Sequence, residues 1–206
     1  MKKQKTKIAV IGEGPTEFYY IQSLVDIFRG ISIKPDYPKH TSMRELARKI
    51  SECIDEGYSY VFCIIDMDNK NVATEMSLYQ ALKKKYENPV SNKRKGIHCE
   101  VKFYETHLCT ELFFYFYFTY TTRYFDSQPP LISALNQHCH YEKSTEFFRK
   151  CKGLHNYFEK NGGSLDTAIH NAEKSLANRE TTGNDYTYSE IGNLLTKINS
   201  LLQQDT

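Results

Sequence analysis

The run Tyr58-Ser-Tyr-Val-Phe-Cys-Ile-Ile65 constrains the fold more than any other stretch of the chain. It is almost entirely β-branched or aromatic and lacks polar alternation, which suits a strand covered on both faces. Such strands belong to parallel sheets, because each parallel pair needs a crossover long enough to hold a helix. The flanking sequence supplies those crossovers. Ile8-Ala-Val-Ile11 is a short apolar run that enters Gly12-Glu-Gly14, and Pro15-Thr-Glu17 opens a helix with proline early and an acid in the first turn. Phe18, Ile21, Leu24, Val25 and Phe28 continue as a helical stripe to Gly30, and Ile31 to Lys34 reads as a second strand. Thr41 or Ser42 caps a further helix with Met43, Leu46, Ile50, Cys53 and Ile54 inward, ended by Gly57. A helix over Ala73 to Tyr86 and a strand over Ile97 to Tyr104 complete a β-α-β-α-β-α-β order. That order predicts an α/β, Rossmann-like, mostly parallel sheet flanked by helices, with right-handed crossovers.

From Glu111 onward the pattern turns helical, with segments near 131–138, 142–161, 164–178 and 189–203. We therefore expect one domain over 1–206, with an α/β core at 1–105 and a C-terminal helical extension at 106–206. The chain holds 16 Tyr, 12 Phe and no Trp. Phe113, Phe116, Tyr117, Tyr120 and Tyr124 share one face of a helix at i, i+3, i+4, i+7 and i+11. Such a helix serves as internal core or as a seam between two copies, so a homo-oligomer stays open. A base-stacking platform would need exposed rings.

With 40% hydrophobic and 25% charged residues, a largely disordered chain is excluded. A mean hydropathy of -0.59 and the lack of a long apolar run exclude an ordinary membrane-spanning helix. The basic start, Met1 to Lys7, looks like the front of a signal peptide, but the apolar stretch behind it is too short and Glu13 interrupts it. Six cysteines without a CxxC pair read as reduced thiols, so the expected location is cytoplasmic. His138-Cys-His140 with Cys151 and His155 lacks the paired spacing of structural zinc sites.

The candidate chemistry lies at strand ends. In a parallel sheet, ligands gather beyond the carboxyl ends of the strands. Glu13 follows the first strand, Asp66 and Asp68 follow the third, and Glu17 sits one turn into the first helix. Carboxylates converging without matching bases need a cation, and hard oxygen ligands suit Mg²⁺ or Mn²⁺. Gly12 and Gly14 would let the backbone turn sharply and approach a ligand. A divalent ion bridging Glu13 and a phosphate is the logic of metal-assisted phosphodiester chemistry. The plainer readings are a turn for Asp-x-Asp and a helix-dipole acid for Glu17. A net charge of only +2 means that any nucleic-acid partner must be argued from local patches. Lys83-Lys84-Lys85 and Lys93-Arg94-Lys95 form two basic triplets, either a phosphate-binding patch or a solvated face. Neither a Gly-x-Ser-x-Gly elbow nor a P-loop is present.

Ile8-Ala-Val-Ile-Gly-Glu-Gly-Pro-Thr-Glu17 followed by Ile64-Ile-Asp-Met-Asp68 resembles the Toprim signature, a glutamate after one strand and Asp-x-Asp after another. The chain is similar to RloB-like proteins, associated with restriction and abortive-infection loci. These have a Glu-Gly-x-Thr-Glu opening, a Phe-Asp-x-Asp-like strand end and an Asn-Pro-Cys-Phe-Glu-Leu-Trp-type helix start. On the last of these, Cys109, Glu111 and Leu112 match, whereas His107, Leu108 and Thr110 depart. Tyr141-Glu-Lys-Ser144, Ala168-Ile-His-Asn-Ala172 and the final helix add further matches. The resemblance implies a Toprim fold and an Mg²⁺-dependent nuclease acting on DNA or RNA in anti-phage defence. Glu13 would then be general base or metal ligand, Asp66 and Asp68 metal ligands, and Glu111 a fourth catalytic acid. Lys143 would neutralise a phosphate near the metal, and an ATPase of the same operon is an expected partner. Two alternatives stay open: a non-catalytic module that binds nucleic acid or a defence partner and senses Mg²⁺, and another phosphoryl or nucleotidyl transferase.

Overall fold

The structure is a computed structural model and describes residues 6–40, 42–68, 72–92, 94 and 96–205, with the backbone alone at Asp205. Thr41, Lys93 and Lys95, all considered above, lie outside the described residues, as does most of the basic N-terminal tail.

The strands are β1 (Lys7–Ile11), β2 (Ser32–Asp36), β3 (Tyr60–Asp66), β4 (Val90–Asn92) and β5 (Ile97–Thr106). They form a five-stranded sheet in the order β2-β1-β3-β5-β4. β1 pairs in parallel with β2 on one side and β3 on the other, with Ile11 opposite Asp36 and Cys63. The strand order therefore reverses direction at β1, which makes the β1/β3 boundary the topological switch point of a Rossmann-like α/β fold. Ile8 to Ile11 and Val61 to Ile65 are buried throughout, as continuous apolar runs in a two-sided sheet must be. β2 is an edge strand and tolerates Pro35, which needs no ladder donor on its outer side. β4 is absent from the sequence reading. It is three residues long and pairs antiparallel with β5, so the last strand is reached through a hairpin rather than directly from a helix.

The chain divides into two compact units. The first comprises residues 1–64, 69–103 and 197–206, and the second 65–68 and 104–196. In the first, α1 (Pro15–Leu24), α2 (Met43–Asp55) and α3 (Ala73–Lys85) are the crossovers. α2 is capped by the Ser42 hydroxyl, which accepts the Glu45 N–H at 3.2 Å, and it buries the five residues expected of it. Gly30 is required by close packing, since a Cβ there would lie 2.0 Å from Leu202 Cδ1.

The second unit holds α4 (Glu111–Phe116), α5 (Gln128–Leu135), α6 (Thr145–Lys150), α7 (Leu154–Lys160), α8 (Leu165–Thr182) and the start of α9 (Ile191–Asp205). Its core is aromatic. Phe114 lies 5.0 Å from Phe158 and 5.9 Å from Tyr141 between ring centroids, and Tyr117 lies 5.1 Å from Phe158. The expected aromatic helix through Tyr124 is corrected here: α4 ends at Phe116. The cause is competition for carbonyls. Asn171 Nδ2 donates to the Phe116 carbonyl at 2.9 Å, and Ser164 N–H donates to the Tyr117 carbonyl at 3.0 Å. Those are the acceptors that a longer helix would have used. The single helix expected over 142–161 is likewise two, broken where Lys152 and Gly153 take φ of 55° and 110°.

Gly12 and Gly14 differ in what holds them. A Cβ on Gly12 would lie 2.2 Å from Glu17 Cβ and 2.8 Å from its Cγ. At Gly14, φ is -160° and the nearest atom to an added Cβ is 3.9 Å away, so its backbone does not demand glycine. Gly12→Ala should therefore lower unfolding free energy by about 2–3 kcal/mol through overpacking. Gly14→Ala should cost no more than about 1 kcal/mol, the loss of a favoured N-cap residue. Urea denaturation followed by circular dichroism measures both, and equal costs would contradict the packing argument.

Candidate functional site

In the first unit, the turn after β1 is tied to the sheet by Gly12 N–H, which donates to the Asp36 carbonyl at 3.0 Å. Glu17 is 3% exposed, and its Oε2 accepts the Gly14 N–H at 2.8 Å. Its carboxylate thus satisfies a donor at the head of α1, and its stem packs over Gly12. The residue expected as a metal ligand is placed as the brace of the loop that carries Glu13. Glu13 itself is half-buried and lines a small cavity with Pro38, Ser42 and Met43.

The basic triplets also fall in the first unit. Lys83, Lys84 and Lys85 form the last turn of α3, where cations complement the helix dipole. Lys83 lies 5.3 Å from the centroid of the Tyr79 ring, and Lys85 lies 4.9 Å from that of Tyr86. Lys83 and Lys84 line a cavity of about 640 Å³ with Glu87, Glu100, Lys102 and Phe103. Lys102 is paired with Glu100 at 2.9 Å, so the groove is mixed in charge rather than uniformly basic. Arg94 is exposed in the turn between β4 and β5.

The second unit gathers the other acids. Asp66 closes β3, and its Oδ1 accepts both the Thr110 N–H at 2.9 Å and the Thr110 hydroxyl at 3.1 Å. The Met67 N–H donates to the Thr106 carbonyl at 3.0 Å, which aligns the Asp66-Met67-Asp68 segment with the end of β5. Asp68 is half-buried. One residue beyond Thr110, Glu111 is 0% exposed. A carboxylate removed from water persists only when donors surround it. Here Tyr141 OH donates to Oε1 at 2.9 Å, Gln128 Nε2 donates to Oε2 at 3.2 Å, and Lys143 Nζ lies 3.2 Å from Oε1 and 3.4 Å from Oε2.

Partial burial disfavours the charged form of Lys143, but Glu111 and, more weakly, Asp66 outweigh it and hold the pKa above the ordinary 10.5. Burial, reinforced by Glu111 and Asp66, pushes the Cys109 thiol far up, so this cysteine is inert. His107 is shifted the other way. Burial lowers its pKa below 6.5 against the pull of Asp185 and Asp68, and its Nδ1 accepts the Thr187 N–H at 3.1 Å.

Asp66, Asp68, Glu111 and Lys143 thus share one unit, while Glu13, Glu17, Arg94 and Lys83 to Lys85 belong to the other. Among the described residues, no three His, Cys, Asp or Glu side chains are grouped closely enough to enclose a metal ion. The donor chemistry still suits Mg²⁺, which is commonly held by one or two carboxylates with waters and substrate phosphate rather than by a protein cage. Tyr141 and Thr110 are members of this site that the sequence reading did not single out. Tyr141 adjoins Lys143 in the matched Tyr-Glu-Lys-Ser stretch, whereas Thr110 stood as a departure from the family pattern. Gln128 left no signal in the sequence.

Two predictions follow from the buried charge and from His107. Tyr141→Phe should destabilise by about 1–3 kcal/mol, because it strips a donor from a desolvated carboxylate. Lys143→Met should cost more than Tyr141→Phe, because it leaves that carboxylate without its cation. Chemical denaturation at neutral pH orders them, and the reverse order would refute the assignment. For His107 the folded pKa lies below the unfolded one, so its contribution is complete above pH 6.5 and is lost as pH falls through the folded value. His107→Gln should therefore show a shallower loss of stability below pH 6.5 than the wild type.

Comparison with known proteins agrees with the motifs. A family model described as RloB-like protein matches residues 8–204. No curated protein and no solved structure matches the chain. Among the described residues, no helix is long and apolar enough to cross a membrane. With nearly its whole length matched, from the first strand to the last helix, the chain belongs to the RloB-like family.

Proposed function

We propose that the protein is a divalent-metal-dependent nuclease of Toprim type that hydrolyses phosphodiester bonds of DNA or RNA in anti-phage defence. The observation that carries this reading is the topology of the sheet. β3 runs parallel to β1 at the strand-order reversal, where open α/β sheets bind their ligands, and its last residue is Asp66. Glu13 follows β1 by two residues, and Asp68 follows β3 by two.

Mg²⁺ or Mn²⁺ would supply Lewis-acid polarisation of the phosphodiester and an acidified water. Asp66 and Asp68 would hold the ion. The Thr110 donors fix Asp66 Oδ1, so its carboxylate is pre-oriented rather than swinging. Glu13 would take a proton from water or share the metal. Lys83, Lys84, Lys85 and Arg94 would bind phosphates away from the reacting bond, giving affinity that falls with salt. Glu111 is paired with Lys143, so its part would be to anchor the segments around the site. That pairing also commits Lys143 to Glu111, which leaves it a weaker candidate for a phosphate. A partner ATPase from the same operon would regulate the activity.

A module that binds nucleic acid and senses Mg²⁺ without cleaving is the rival reading, favoured by the lack of a three-acid grouping among the described residues. Purified protein incubated with single-stranded DNA, duplex DNA, RNA and tRNA, with Mg²⁺ or Mn²⁺, separates the two. The nuclease reading expects cleavage that drops by more than about 100-fold in both Asp66→Asn and Glu13→Gln, beyond the usual cost of losing a ligand's supporting partner. Asn keeps an acceptor for Thr110, so the loss would be chemical and not structural. Changing Lys83 or Lys84 to Ala should weaken binding evenly across sequences and reduce the salt slope by about 1 each. Metal-dependent binding with no cleavage of any substrate would establish the module, and product lengthening with nucleotide consumption would establish a transferase.

A further inference from the structure

Tyr124 exposes 58% of its surface, although Phe113, Phe114, Phe116 and Tyr117 from the same aromatic stretch are buried. It belongs to a fixed surface group of rings. Its centroid lies 5.2 Å from that of Tyr186 at 78°, and 6.1 Å from that of His107 at 31°. Tyr186 and His107 are 6.5 Å apart.

The backbone behind these rings is tied together. The Thr187 hydroxyl donates to the Arg123 carbonyl at 2.7 Å, Thr187 N–H donates to His107 Nδ1 at 3.1 Å, and His107 N–H donates to the Tyr188 carbonyl at 2.9 Å. Tyr188 supports the group from inside, 6.2 Å from His107, and the Arg179 guanidinium lies 3.8 Å from its ring centroid. Three segments distant in sequence therefore meet to hold His107, Tyr124 and Tyr186 in place. Rings fixed in advance bind with little ordering cost.

The geometry limits what such a group can take. A flat ring inserted between two others needs about 7 Å, twice the 3.4 Å step of stacked bases. The His107–Tyr124 separation of 6.1 Å is too short for insertion. Tyr124 is the most exposed of the three rings, and Tyr186 meets it at 78°. That corner suits one flat aromatic ligand. On the nuclease reading the ligand is a base of a nucleic-acid strand: Met67 N–H bonds the carbonyl of Thr106, the residue before His107, which ties the Asp66–Asp68 segment to the chain that carries this group. The platform thus adjoins the strand-end acids within one unit. Arg123, next in sequence to Tyr124, is exposed, with its guanidinium 5.1 Å from the centroid of the Phe125 ring.

We propose that His107, Tyr124 and Tyr186 form a stacking subsite for an unpaired nucleobase, so that the strand presented to the acids is single-stranded. That the ligand is a nucleic-acid strand rests on the nuclease reading; the ring group itself does not. In a duplex the base faces are already stacked on their neighbours and out of reach.

The test uses the full chain, EDTA to prevent turnover, and DNA and RNA oligonucleotides of about a dozen residues carrying one 2-aminopurine. Stacking quenches the probe. Tyr124→Ala should weaken binding by about 5- to 150-fold, the range of one base–aromatic stack. Tyr124→Phe should bind like the wild type, and a fully paired duplex of the same sequence should compete poorly. The DNA and RNA arms show which strand is preferred. Absence of quenching, unchanged affinity in Tyr124→Ala, equal loss in Tyr124→Phe, or equal competition by duplex would each overturn the subsite. Metal-dependent cleavage with Tyr124→Ala binding unchanged would remove the subsite and leave the nuclease standing. Quenching that depends on Tyr124 with no substrate cleaved would do the reverse.

Discussion

A buried carboxylate sets the terms for the second unit. Glu111 has no access to water, and donors that compensate it come from other segments: Gln128 from the start of α5, Tyr141 and Lys143 from the stretch before α6. Burying an ion is unfavourable by several kcal/mol unless such partners are in place, so the carboxylate selects arrangements that bring all of them together. The surrounding core is made of rings that could pack in several ways, since flat apolar surfaces are tolerant of rearrangement. The directional bonds to Glu111 narrow those ways. The same helix start carries Thr110, whose two donors fix Asp66. One local structure therefore serves both the interior of the unit and the orientation of the strand-end acid.

Tyrosine and phenylalanine are divided by where their polar atoms lead. Phe113, Phe114 and Phe116 have none and are fully enclosed. Tyr117 and Tyr141 are enclosed as well, but each hydroxyl finds a partner, His155 Nδ1 at 3.1 Å and Glu111 Oε1 at 2.9 Å. Past Tyr117 the chain leaves the helix because its carbonyls are taken by Ser164 and Asn171, and the rings beyond are released from helical spacing. Tyr124 thereby reaches the surface. A periodicity argument treats Phe113 to Tyr124 as one face. The hydrogen bonds that split it are made by residues some fifty positions away in the sequence, at 164 and 171.

The contrast shows what the sequence could convey. The alternation of strands and helices up to Phe103 was legible because it rests on local facts: apolar runs, a proline in the first turn of α1, a serine cap on α2. The hairpin through β4 was not, since three exposed or half-exposed residues carry no periodic signal. In the candidate site, Asp66, Asp68, Glu13, Glu111 and Lys143 could be named from strand ends and family motifs. Their distribution was not legible. Whether an acid is a brace, as Glu17 is, or the centre of a neutralised network, as Glu111 is, depends on donors supplied by other segments. Gly14, Gln128 and Thr110 hold or lend those donors, and none has a composition that announces it.

The strand-end acids differ from Glu111 in a way that bears on chemistry. Glu111 has a cationic partner, Lys143, and two neutral donors, Tyr141 and Gln128, so adding an ion would require breaking a network that already satisfies it. Asp66 accepts through Oδ1 from the two neutral donors of Thr110, which orient the carboxylate. A neutral donor pair orients a carboxylate, whereas a paired lysine compensates its charge. The same reasoning separates Glu17, whose Oε2 caps the first turn of α1, from Glu13, which the turn presents at the mouth of a small cavity. Glu17 is consumed in bracing the turn that carries Glu13, as Glu111 is consumed in tying together the segments of its own unit.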